Sequence, residues 1–528
     1  MSIIKKMFRL AVVASVGLVM VSCFKDKHSL ASEGNMIPDN AVMAVKIDAH
    51  QIWDKALGAP GSQARSAWDM AKAAVPMYSS SMGELGTLAA DIVKDPAVLG
   101  LRLEEPVVFS IAADNVDILK EEADMELYLA ALLKDSEAFI KVVDAVVAQA
   151  NAEARMGISK EASDKYTYYS CILEDGITFD MGVTRQSVVI RLKADTLDEG
   201  QGVHTDMTDL FKNGGPDSDG LEAFYKSKGD LVAWMDMEAV MDMTMPVLEQ
   251  VDPAVLEQMK AYMPLYEGSS VVSDLCIRKG QTVLNFQMFG SKEMMAAARK
   301  YNASSSDKYF KYLPHNSVFV ANFAMKNFAG MVEEISKANA EFAEGMEFLE
   351  EEFEINEAVL ADFPGVVTFA VDGTQIDTRD VPGMTLVMEC GSNVWDLVQT
   401  YLEMYGEMEG DVYNIMDVFQ VAYRDGAIWA WNTKASNESD AFSKSSLAKN
   451  IAKGGFVFNL EALPGYLIDE LAEEIDYNMT GEEFLEFVNS VVISSDPEKM
   501  ASSITINMAD KDENILAKIV GYAIDSAF

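Results

Sequence analysis

The sequence predicts an α+β protein made of two tandem, diverged copies of one module, each with antiparallel β-sheets and packed helices. Three observations predict it. Apolar and polar residues alternate with period two over short runs. Between those runs, apolar residues recur at helical spacing. A set of short strings also returns later in the chain in the same order.

Taken along the chain, the alternation predicts strands over 41–47, 106–113, 125–133, 177–184, 187–193, 231–237, 271–277 and 282–289. Helical spacing predicts helices over 63–77, 239–263 and 292–301. Another starts at Ser136, read as its cap, with Phe139, Ile140, Val143 and Val147 on one face. Arg185-Gln186 and Arg424-Asp425-Gly426 read as hairpin turns, the Asp-Gly pair being the stronger signal. The serine-rich stretch 302–307 reads as a linker.

The repeat begins with Ile37-Pro38-Asp39-Asn40-Ala41-Val42, echoed by Leu313-Pro314-His315-Asn316-Ser317-Val318 at an offset of 276. Pro106 to Asp114 is answered by Pro364 to Asp372 at offset 258, and Arg185 to Leu192 by Arg424 to Trp431 at offset 239. Lys228-Gly229 matches Lys453-Gly454, and Ser270-Val271-Val272 matches Ser490-Val491-Val492 at offset 220. A steadily falling offset is what a second copy with shortened loops produces, whereas chance similarities scatter. The copies are placed at 37–300 and 301–528.

Ahead of them, Lys5, Lys6 and Arg9 precede an apolar stretch from Leu10 to Val21, too short to span a bilayer and patterned as a secretory signal over 1–22. Met20-Val21-Ser22-Cys23 resembles the lipobox of bacterial lipoproteins, which implies acylation of Cys23 and a lipidated tether over 23–36. The membrane is then a partner through that lipid. Phe24, where an aspartate would imply retention in the inner membrane, favours the outer membrane of the cell envelope.

The 528 residues carry a formal charge of −42, which becomes −45 once the three signal cations are removed. So acidic a surface repels phosphate backbones, which argues against nucleic acid as a partner. Cys171, Cys276 and Cys390 are too few to build a disulfide scaffold, and their strand-like contexts suit small buried hydrophobes. The four histidines lack metal-ligand spacing, and no phosphate loop, dinucleotide fingerprint or nucleophile elbow occurs, so no cofactor is expected. His315 reads as a solvated turn residue, and Glu347, Glu350, Glu351 and Glu354 as the wet face of an amphipathic helix.

Met235, Met237, Met241, Met243 and Met245 are closely spaced thioethers that would suit Cu(I), although the second copy has ordinary apolar residues in their place, which favours a core role. Trp429 and Trp431 alternate on one strand face and would form a ligand platform if that face is open. Asp195-Thr196-Leu197 and Asp525-Ser526-Ala527 resemble the short O-glycosylation sequon of Bacteroidetes-type envelopes, at Thr196 and Ser526.

The lipobox, the Pro-x-Asn-x-Val opening of each copy and Lys228-Gly229-Asp230-Leu231-Val232-Ala233-Trp234-Met235-Asp236 together resemble an uncharacterised family of large Bacteroidetes-type lipoproteins, a domain of unknown function, over nearly the whole mature chain. The resemblance implies location and size and brings no catalytic residues. The resulting expectation is a non-catalytic envelope protein that binds a partner protein or a glycan. The competing expectations are a hydrolase using paired carboxylates between the modules and a methionine-based copper binder.

Overall fold

The computed structural model describes residues 36–527 apart from 80–82, 118–121, 164–165, 174–176, 195–218, 252–259, 261–265, 364, 374–381, 433–440 and 477–478. The chain forms two compact units, one of residues up to Ile277 together with 516–528, the other Arg278–Ile515. Both are mixed α+β with antiparallel sheets. The unit limits do not coincide with the repeat boundary expected at 300/301. The strand and helix that end the first copy fall in the second unit, and the helix Ile515–Ala527 that ends the second copy falls almost entirely in the first.

In the first unit the strands are β1 (Ala41–Ile47), β2 (Val107–Asp117), β3 (Glu122–Leu132), β4 (Ser159–Ala162), β5 (Thr167–Ile172), β6 (Ile177–Val183), β7 (Ser187–Ala194), β8 (Leu231–Asp236) and β9 (Ser270–Arg278). They pair antiparallel in the order β9-β8-β1-β2-β3-β7-β6-β5-β4. One face packs on the helix Ser136–Gln149, whose predicted stripe of Phe139, Ile140, Val143 and Val147 meets Leu133, Tyr169, Met181 and Val188. Its cap is Asp135, not Ser136. Asp135 lies in extended backbone, and its carboxylate accepts from the amides of Glu137 and Ala138. The helix expected from 239 starts at Met237, because Asp236 accepts from the Ala239 amide, and extends to Val251.

The second unit contains β10 (Gln281–Phe289), β11 (Asn302–Ala303), β12 (Ser317–Met325), β13 (Gly365–Asp372), β14 (Gly383–Glu389), β15 (Gly406–Glu409), β16 (Val412–Ile415), β17 (Phe419–Arg424), β18 (Ala427–Trp431), β19 (Gly455–Asn459), β20 (Ser490–Asp496) and β21 (Ala501–Asn507). The main order is β10-β21-β20-β19-β12-β13-β14-β18-β17-β16-β15, all antiparallel. Asp425 and Gly426 both have positive φ, as the predicted two-residue turn requires. The core gathers Phe310, Leu313, Val320, Phe442, Ile451 and Val457. Each large side chain buried there contributes about 1.5–3 kcal/mol.

The stretch 302–307 is not a free linker. Asn302 and Ala303 pair with β12, the Ser305 amide donates to the Lys453 carbonyl, and Ser305 Oγ donates to Asn322 Oδ1. The strand pairings of the two units can also be laid on one another. β1 pairs β2 with a bulge between Ala41 and Met43, and β12 pairs β13 with one between Ser317 and Phe319. Aligning those pairings sets Val108 against Thr368 and Trp234 against Val457, each two residues from the string alignment. A slip of two keeps every side chain on its face.

Candidate functional site

The second unit holds a cleft of about 860 Å³ at one end of its sheet. Its floor follows from strand register. Gln281 lies opposite Asn507, Asn507 opposite Ser490, and Ser490 opposite Asn459, so one row of polar side chains crosses β10, β21, β20 and β19 on a single face. Each residue is at a strand end, where hydrophobic alternation gives way to turn chemistry. Asn507 Nδ2 donates to Ser490 Oγ at 3.0 Å, while the side chains of Gln281 and Asn459 are uncommitted.

The walls are short loops clamped to that end. Gly280 donates its amide to the Glu513 carbonyl at 2.7 Å and accepts from the Met508 amide at 2.9 Å, which fixes the segment after β21. Gly280 has φ +71° and an added Cβ would lie 2.8 Å from Lys511 Cδ, so glycine serves both the turn and the close passage of the lysine stem. The Phe442 amide donates to the Leu313 carbonyl at 3.0 Å and the His315 ring lies 3.4 Å from the Ala441 carbonyl, joining the turn before β12 to the loop carrying Lys444, Ser445 and Ser446. On the remaining side the Asn489 carbonyl accepts from the amides of Leu460 and Glu461, and its Nδ2 donates to Glu461 Oε1 at 2.8 Å.

Lys279, Lys444 and Lys511 line the cleft, whereas Glu461 is the one carboxylate of its lining. Lys511 Nζ donates to the Met508 carbonyl. No carboxylate pairs with Lys279 or Lys444 among the described residues. Among the described residues no Phe, Tyr or Trp lines the cleft. The arrangement can donate hydrogen bonds and positive charge to a bound molecule; among the described residues no hydrogen bond joins one of its serines to His315 or to a lysine.

The residues singled out from the sequence lie elsewhere, except His315, which is exposed on the cleft wall. Cys23 and Thr196 lie outside the described residues, and Ser526 is in the last turn of the helix Ile515–Ala527. Trp429 is half-buried, its ring met edge-on by Tyr309 at 5.4 Å and Tyr312 at 4.9 Å, and its Nε1 donates to the Arg424 carbonyl. Trp431, also half-buried, has the Arg424 guanidinium 5.7 Å from its ring. The two tryptophans share a sheet face but do not reach the cleft.

Met235 is the last residue but one of β8, and the helix Met237–Val251 carries the other four methionines, all half-buried, against β1, β2 and β8. At about 100° per residue, Met237, Met241 and Met245 share one face and Met243 points away from it. Among the described residues no group of three or more His, Cys, Asp or Glu side chains is close enough to hold a metal ion. Cys171 and Cys390 are buried free thiols, pushed up from the usual thiol pKa by that burial, and Cys276 is a half-buried one.

Sequence reasoning passed over the cleft because its residues come from six separate segments between Lys279 and Lys511, each an ordinary turn by itself. The available signal was weak: asparagine, glutamine or serine at the ends of four strands, of which only β10 falls on a strand predicted from the sequence. No family model matches this chain, and no curated protein or solved structure similar to it was found.

Proposed function

We propose that this is a lipid-anchored protein of the bacterial envelope, acylated at Cys23 and without catalytic activity, that binds a polar extracytoplasmic ligand in the cleft of its second unit. The cleft's lining carries the reading: amides, hydroxyls and lysines around a single carboxylate. Glycoside hydrolysis of the usual kind takes two carboxylates about 5 to 10 Å apart. A binding site needs only convergent donors on a rigid frame, and sheet-end asparagines held by backbone clamps provide that.

The tandem-copy reading belongs to the same proposal. It is supported by strand orders that correspond position for position from β8-β1-β2-β3-β7-β6-β5-β4 to β19-β12-β13-β14-β18-β17-β16-β15, and by a bulge at the same place in each. Screening the purified chain against glycans and peptides tests the binding reading. Saturable binding abolished by changes in the cleft is expected, and turnover of any of those compounds would overturn the non-catalytic assignment. Anchoring is tested separately: Cys23→Ala should release the protein from the membrane fraction and lose incorporated fatty acid.

A further inference from the structure

We infer that the ligand of this cleft is an acidic saccharide, a short glycan chain bearing carboxylates; the inference rests on the cleft being the binding site. Charge is the first reason. The chain as a whole has 84 acidic against 42 basic residues, two for one. The cleft reverses this, with three lysines to one glutamate, a local charge of +2 with His315 neutral. Glu461 is engaged by Asn489, whereas among the described residues no carboxylate pairs with Lys279 or Lys444. Unneutralised ammonium groups converging on one concavity favour an anion there.

The floor supplies the second reason, and separates a saccharide from a simple anion. Gln281, Asn507, Ser490 and Asn459 succeed one another across four adjacent strands. Neighbouring strands are about 4.8 Å apart, close to the length of one pyranose unit. A glycan lying across the strands therefore meets a fresh hydrogen-bonding group at each sugar, while its carboxylates reach the lysines on the walls. The volume of about 860 Å³ accommodates a few such rings. With no Phe, Tyr or Trp among the described lining residues, affinity comes from polar contacts, so removing charge should weaken it measurably.

The test is calorimetric titration of the full chain in detergent with trigalacturonic acid, the neutral galactotriose and inorganic phosphate. Trigalacturonic acid is expected to bind about tenfold more tightly than galactotriose, and Lys279→Gln/Lys444→Gln to reduce its affinity by about tenfold. Asn459→Ala should weaken both trisaccharides alike. Both lysines are exposed and make no ion pair among the described residues, so the double variant retains the fold, which circular dichroism checks. Equal binding of the two trisaccharides, unchanged by the lysine substitutions, would overturn the acidic ligand and keep the cleft as a binding site. Phosphate binding as tight as that of trigalacturonic acid would overturn the saccharide. Failure of both trisaccharides to bind would overturn this inference, and failure of the whole glycan and peptide screen as well would overturn the reading beneath it.

Discussion

On β1, an interior strand of the first unit, Lys46 is 4% exposed, and its ammonium donates to the carbonyls of Phe224, Tyr225 and Ser227. Aligning the pairing of β1 with β2 on that of β12 with β13 sets Asn322 at the same point of β12. It is fully buried, accepts from Ser305 and Thr368, and donates to the carbonyls of Ser306 and Ile451. Both side chains pin the turn that leads into the next strand of the sheet, β8 or β19. One does so with a buried charge and the other with a neutral amide. The first unit repeats this habit, since Arg191 and Asp180, each 1% exposed, pair within it, and Tyr168 donates to the same aspartate. A charge pinned in this way is held by partners that leave a large deficit if removed, whereas an amide can be replaced at lower cost.

The largest break in that comparison is Asp180→Ala, which removes the buried Oδ2 that accepts from both Nε and Nη2 of Arg191 and should cost about 3–5 kcal/mol in chemical denaturation. The double change Asp180→Ala/Arg191→Met should recover most of that loss. A recovery near zero would mean that the network does more than neutralise the arginine.

Next come Lys46→Met and Asn322→Leu, each stripping buried carbonyls of their donors at a cost of about 2–3 kcal/mol. Only the first deficit should depend on pH. Burial pulls the Lys46 pKa from 10.5 down to about 8, against the attraction of Asp274 and Asp48. Between those two values the unfolded chain binds the extra proton and the folded chain does not, so wild-type stability rises with pH there. The gap between wild type and Lys46→Met should widen from pH 8 to pH 10, while the gap to Asn322→Leu stays flat. Parallel curves would show that the ammonium does not titrate in this window.

A smaller effect is expected at the cleft. Gly280→Ala forces a side chain into left-handed backbone against the Lys511 stem and should cost about 1–2 kcal/mol. Smallest is Gly426→Ala. Nothing lies within 4 Å of its added Cβ, so only the φ of +74° resists it, at about 1 kcal/mol by thermal melting.

Much of this fold was legible because strands and helices announce themselves through local period. The run 41–47 and the helix 292–301 match the structure at both ends. The stripe Phe139, Ile140, Val143 and Val147 finds the core it implies. Local reading failed where neighbours in space decide. Asp135 takes the cap from Ser136 through backbone geometry, and 302–307 is tied down by Asn322 and Lys453, side chain and backbone partners far along the chain. Lys46 on an alternating strand gives no sign that its ammonium is buried by carbonyls about 180 residues away.

The sequence by itself determined the fold class, the acidic surface and the positions of most strands of the first unit, because alternation, helical spacing and charge are properties of neighbouring residues. Tertiary structure decided the strand order, the burial of Lys46 and the joining of Lys279, Lys444 and Lys511 around one cleft. Those depend on which distant segments the sheet brings together, and hydrophobic period, identical for many pairings, does not specify that.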